Sequence, residues 1–234
     1  MTRHPTARRV HRPDTSGDDA FVANVLETSV WAKEHSRKLI IGGIVVAAVA
    51  LFAYFFISNR RSREERATTE LTPIRALVQS GQAEQAIPRL EAFLNSYGGT
   101  RSGTEARLLL GQLYLAGGQA EKAIQAVDPI DDDLEDPTAV NAAFLQAAAY
   151  ESAEEPHRAE EVFLKVGEGA PFLFQKHDAL DNVGRIRLAR GDAAGAAEIY
   201  QRLFDDTPEN NPARQVWQLR LAEARAAQAG KQGG

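Results

Sequence analysis

The chain has 234 residues, with 27 Lys plus Arg against 32 Asp plus Glu and a formal net charge of -5. That length holds one domain or two small ones, and a basic footprint for nucleic acid is missing. Cysteine is absent and Met1 is the only methionine, which excludes a disulfide framework, a thiolate zinc site, a cysteine nucleophile and a Met-lined groove.

Residues 1–18 carry Pro, Arg, His, Thr and Asp with almost no apolar side chain, the composition of a disordered tail. From residue 19, Phe21, Val22, Val25, Leu26 and Val30 recur at helical spacing, with Asp18 as a candidate N-cap. They predict an amphipathic juxtamembrane helix over residues 19–38. It either lies in the membrane interface, with Trp31 near the headgroups, or is a helical extension without a role.

Residues 39–57 read LIIGGIVVAAVALFAYFFI and contain no charged or strongly polar side chain. At about 1.5 Å per residue, such a helix spans close to the ~30 Å of a bilayer core. Lys33, Arg37 and Lys38 flank one end, Arg60, Arg61, Arg63 and Arg66 the other, and Tyr54, Phe55 and Phe56 fit an aromatic belt. A cleaved signal would need a shorter leader, a shorter apolar core and a small-residue cleavage site. The segment therefore reads as a transmembrane helix, followed by a basic linker or helix extension over 58–66. Gly43, Ala47 and Ala50 share one face, a weak sign of a partner helix. Orientation is not decided by charge. Lys33, Arg37 and Lys38 count within the near flank on one side, against Arg60, Arg61, Arg63, Arg66 and Arg75 on the other. This mildly favours a cytoplasmic C-terminal side.

From residue 67 to 228 an Ala-rich helical pattern is punctuated by Gly and Pro. Four turn-plus-helix stretches align: GQAEQA from Gly81, GQAEKA from Gly118, EEPHRA from Glu154 and GDAAGA from Gly191. Each closes on an alanine: Ala86, Ala123, Ala159 or Ala196. Seven residues before each turn stands Ile74, Gly111, Ala147 or Gly184, and Pro171 and Pro208 end the third and fourth units. Pro88 falls inside the second helix of repeat one and predicts a kink there. Asn211 and Pro212 start a further helix whose Val216, Trp217, Leu219 and Leu221 are expected to cap the last repeat. Residues 229–234 read as a disordered tail.

No catalytic constellation is present. His4, His11, His35, His157 and His177 are scattered without metal-ligand spacing, no serine sits on a nucleophile elbow, and Gly117-Gly118 is a helix–helix turn rather than a phosphate loop. Asp131, Asp132, Asp133, Glu135 and Asp136 form an acidic loop without EF-hand spacing, read as a solvated connector or, less well, a weak cation site. No enzyme activity, cofactor, metal or nucleic acid is expected.

The repeated pattern resembles the tetratricopeptide repeat, whose two-helix unit of about 34 residues places small residues where helix A crosses helix B. The resemblance implies an all-α fold: one transmembrane helix, then an α-solenoid of about four helix pairs and a capping helix. On that family's geometry, helix A lines a concave groove containing Arg75, Val78, Glu105, Leu108, Gln112, Leu115, Asn141, Phe144, Glu151, Asp178, Asp181, Arg185 and Leu188. The mixture suits an extended peptide or a partner helix; for each position the alternative is an ordinary solvated face. The small residues Ala86, Gly111, Ala123, Ala147, Ala159, Gly184 and Ala196 would do the packing. The whole arrangement, with its Trp31–Lys38 arm WAKEHSRK, is similar to the YfgM-like family of bacterial inner-membrane proteins, ancillary subunits of the SecYEG translocon. That resemblance implies a cytoplasmic N-terminus, periplasmic repeats, and translocon subunits, periplasmic chaperones or clients as protein partners. An envelope-assembly or division coordinator is the alternative, as is a cytoplasmic scaffold if the topology is reversed. Self-association is left open.

Overall fold

The computed structural model describes residues 36–130 and 132–232, and all regular structure among them is α-helical. The tail over 1–18 and nearly all of the amphipathic helix expected over 19–38 lie outside the described residues. The chain divides into two units, residues 1–61 and 62–234.

Helix α1 (Ser36–Gln79) contains the apolar stretch and the first helix of repeat one. The segment 58–66, with no Gly or Pro to stop it, is helical throughout. In the first unit the large apolar side chains from Ile40 to Ile57 are exposed, from 51 % at Ile57 to 74 % at Phe52. The most apolar 18-residue window has a mean hydropathy of 2.7, so this helix is long and apolar enough to cross a membrane. Phe52 and Phe56 stack at 6.4 Å, and the Arg60 guanidinium lies 5.7 Å from the Phe56 ring centre. Gly43, Ala47 and Ala50 are all exposed, and a Cβ added at Gly43 would meet nothing within 4 Å.

The second unit is a stack of helical hairpins. The end of α1 pairs with α2 (Ala83–Tyr97), α3 (Arg101–Ala116) with α4 (Ala120–Val127), α5 (Pro137–Ser152) with α6 (Pro156–Gly169), and α7 (Leu173–Ala189) with α8 (Ala193–Asp206). The last helix, α9 (Ala213–Gln232), covers the end. Ala67, Leu71, Ile74, Leu90, Phe93, Ala106 and Leu110 start one continuous core, and Val140, Phe163, Leu180, Tyr200, Leu203 and Trp217 continue another. Burial of these apolar faces is the main favourable term holding the hairpins together.

The A-to-B turns share one geometry. Gly81, Gly118 and Gly191 adopt φ of 73°, 68° and 80°. The next residue's N–H reaches back to the helix, as in Gln119 N to Tyr114 O at 2.8 Å and Asp192 N to Arg187 O at 2.8 Å. These are left-handed helix stops, where glycine has no Cβ to clash. Repeat three lacks the glycine yet makes the same turn: Glu154 sits at φ 60°, and Glu155 N bonds Tyr150 O at 2.8 Å.

Helix α2 keeps Pro88 inside its range, and Pro88 and Glu84, whose carbonyl it cannot bond, are both exposed to water. Two expectations need correction. On α9, Trp217 and Leu221 are buried together with Ala224, whereas Val216 and Leu219 are 49 % and 71 % exposed. Positions 217, 221 and 224 fall on one helical face and 216 and 219 do not. The same helix continues to Gln232, past the expected boundary at 228, because Ala226, Ala227 and Ala229 are strong helix formers.

Candidate protein-binding groove

The crossings set how the A helices lie side by side. A Cβ added at Gly184 would fall 2.5 Å from Cζ of Tyr200, and one at Gly111 would fall 3.0 Å from Val127 Cγ1 and 2.9 Å from Leu145 Cδ2. Ala86, Ala123, Ala147, Ala159 and Ala196 have no exposed surface. Sixteen positions after each crossing site stands Leu90 for Ile74, Val127 for Gly111, Phe163 for Ala147 and Tyr200 for Gly184. In repeat four small meets large, the Tyr200 ring filling the space that Gly184 leaves. In repeat two Gly111 is approached by both Val127 and Leu145. Repeat one instead sets two aliphatic side chains in one cluster, Ile74 at 6 % exposure with Leu90.

Helix A residues from the first three repeats converge on a depression of ≈ 650 Å³, which brings together Arg75, Glu105, Leu108 and Asn141. Its other walls come from Glu64, Thr68, Ser102 and Thr138, among others, which the groove reading missed. Their signal was available one turn earlier, since Thr68, Glu105 and Asn141 are separated by 37 and 36 residues, the repeat spacing itself. The remaining predicted positions lie elsewhere. Val78 and Leu115 pack against the first core, and Phe144 and Leu188 against the second, Phe144 meeting Phe163 edge-on at 5.6 Å. Gln112 is exposed, Asp178 is exposed, and Asp181 is half-buried.

Much of the charge in the groove is spent between neighbouring A helices. The Arg75 guanidinium grips both carboxylate oxygens of Glu105. Arg185 donates to both oxygens of Glu151, at 2.9 and 2.7 Å. Such two-pronged pairs fix geometry as well as charge. Glu64 caps the start of α3, accepting from Arg101 N at 2.9 Å, Ser102 N at 3.0 Å and Ser102 Oγ at 2.8 Å. Burial pushes the Glu64 carboxyl upward, but these bonds outweigh it and hold the group below its usual range. Asp178 keeps an exposed surface, but partial desolvation by its neighbours, reinforced by the Asp181 carboxylate, raises its carboxyl. Burial lowers His177, against the pull of Asp206 and Asp178. No group of three or more potential metal ligands occurs among the described residues.

Comparison with known proteins fits this geometry. A model of the tetratricopeptide repeat-like domain matches residues 30–226. The chain belongs to the tetratricopeptide repeat-like domain family. Two crystal structures share the fold of this domain, both of nearly identical TPR-like repeats named for a putative kinesin light chain of Podosopora anserina, the second being a single-residue variant. Each is 21 % identical to this chain and covers 75 % of it, with 90 % and 89 % of their own chains aligned and TM-scores of 0.52 and 0.51. Among curated proteins, none matches. Tetratricopeptide repeats imply protein–protein interaction.

Proposed function

We propose that this protein is a non-enzymatic, membrane-anchored scaffold. Residues 39–57 cross the bilayer, and the A-helix depression holds an extended segment of a partner protein. The observation that carries this reading is the depression itself. It is open and roomy, and it sets one apolar side chain, Leu108, among donors and acceptors from three successive repeats. The exposed apolar surface of residues 40–57 supports the anchor, since such a surface is stable in lipid and costly in water. The family match beginning at residue 30 takes in that segment.

The finer reading places the protein in a bacterial inner membrane, N-terminus inside and repeats in the periplasm, as an ancillary factor linking the translocon to periplasmic chaperones or clients. It rests on the resemblance of the arm, span and repeats to the YfgM-like family. The local Lys/Arg count favours a second reading, a cytoplasm-facing scaffold. Envelope assembly or division coordination fits the same anchored groove. A photo-crosslinking amino acid at Asn141, with immunoblotting for translocon subunits in intact cells, tests the first reading. It predicts adducts from position 141 and none from exposed Glu121 on α4. Equal adducts from both positions, or none from 141, would contradict it.

A further inference from the structure

The second helices of the four repeats have unequal lengths. Helices α2, α6 and α8 have 15, 14 and 14 residues, whereas α4 has eight. The repeat spacing does not shorten to match: the B helices start at Ala83, Ala120, Pro156 and Ala193. Where two more turns of α4 would have been, the described residues 128–130 and 132–136 are non-helical. Their chemistry explains why. Pro129 lacks the N–H that a continuing helix would donate. Asp131, Asp132 and Asp133 repel one another and are poor helix formers.

That loop fills the space only in part. Its Leu134 lines the gap and packs against the second core, reaching over Gly169, where an added Cβ would come within 2.9 Å of its Cδ1. A cavity of ≈ 410 Å³ remains, walled by Val127, Ile130, Ala139, Ala143 and Val162. Asp128 and Asp132 line it, and Lys165, the one cation among its described lining residues, sits 3.5 Å from Asp132. Glu135 is exposed on the same loop. On α5 the lining positions Ala139, Ala142, Ala143 and Gln146 follow a spacing of three, four and seven. They lie on the helix face opposite Asn141 and Phe144. The cavity is thus separate from the A-helix depression.

We infer that this truncated-helix cavity is a second peptide-binding site. It accepts one bulky apolar side chain of a partner protein whose neighbouring residue is Lys or Arg. The apolar wall and volume suit a large aliphatic or aromatic group. Carboxylates outnumber cations among its described lining residues, and the unit around it is itself acidic, so charge complementarity selects a basic flank over an acidic one. This goes beyond the groove reading and does not depend on it.

The test uses the full chain in detergent micelles, panned against a display library of random dodecapeptides. Enriched sequences are then measured as fluorescein-labelled synthetic peptides by anisotropy. The expected result is enrichment of Leu, Ile or Phe next to Lys or Arg. Ala143→Phe, which fills the cavity, should weaken binding of those peptides by about tenfold or more. Asp132 is 87 % exposed, so Asp132→Arg perturbs the charge without touching the fold; it should weaken binding by roughly three- to tenfold at low salt. Asn141→Ala should leave it unchanged. No enrichment, an acidic or unpatterned set, or binding insensitive to Asp132→Arg overturns the inference. Loss with Asn141→Ala alone assigns the peptides to the groove and also overturns it.

Discussion

Replacing Gly184 by alanine adds one methyl group at the tightest crossing of the repeats. Its Cβ would lie 2.5 Å from Tyr200 Cζ and 2.9 Å from Cε1 and Cε2, where ordinary contact begins at 3.4 Å. Tyr200 is 0 % exposed, so its ring has no solvent to retreat into. Either the ring leaves its rotamer or α7 and α8 part by about 0.9 Å. Overpacking of this kind costs about 1–3 kcal/mol, and alanine recovers about 1 kcal/mol over glycine inside a helix. The clash is with a closely packed ring, so the upper part of the range applies, and the net loss is about 1–2 kcal/mol. For a unit of this size that lowers the melting midpoint by about 2–8 °C. Tyr200→Leu alone leaves a cavity and costs about 2–4 kcal/mol. Combined, the two changes set the added methyl group against a smaller, aliphatic side chain, so each relieves part of the other's cost. The pair should lose at least about 1 kcal/mol less than the sum of the singles. Urea unfolding of a fragment starting at Ser62, followed by far-UV circular dichroism, reads all four proteins. A Gly184→Ala midpoint at or above the parent's, or strict additivity of the pair, would refute the packing scheme.

Glu154→Gly relieves a left-handed residue that costs about 1–2 kcal/mol, less glycine's own entropy. It should raise stability by about 0.5–1 kcal/mol in the same assay, and a loss would mean that the Glu154 side chain stabilises the turn. Asp178 has a folded-state carboxyl raised above its usual value of 3.8, chiefly by partial desolvation and then by the Asp181 carboxylate. Its contribution to stability is fully present below that value and is lost as pH rises through the folded-state value. Asp178→Asn should therefore raise the urea midpoint at pH 7 and change it little at pH 3; a lower midpoint at pH 7 would contradict this. Ending the chain after Asn210 removes Trp217, Leu221 and Ala224, which are 8 %, 6 % and 0 % exposed. The uncovered face of α8 should drive self-association in analytical ultracentrifugation, and a monomer of unchanged stability would show that α9 is no cap.

The helix pairs and their turns were legible in the sequence because they depend on residues with few substitutes. Gly81, Gly118 and Gly191 mark a positive φ, and Gly111 and Gly184 mark a close approach. What was hidden depends on pairs rather than single residues. Glu154 can hold a glycine's conformation because the helices on either side determine the turn. Ile74 is buried in one cluster with Leu90, an aliphatic side chain smaller than Tyr200. The groove list placed Glu105, Glu151, Arg75 and Arg185 on helix A without their pairing, yet each reaches a partner 30 or 34 residues away, a register visible only once the A helices lie side by side. Glu64 escaped notice because its role as a cap for α3 is tertiary, far from Ser102 in sequence.

Every proposed partner depends on which side of the bilayer the repeats face. The absence of cysteine permits a direct measurement. Glu209→Cys places a single thiol on an exposed residue of the second unit, and Thr6→Cys places one ahead of the span. Intact spheroplasts carrying either variant are treated with a membrane-impermeant maleimide. The proposed orientation predicts that the thiol at position 209 is labelled at once and the thiol at position 6 only after lysis. Labelling of position 6 in intact spheroplasts, with position 209 protected until lysis, would contradict it and place the groove in the cytoplasm.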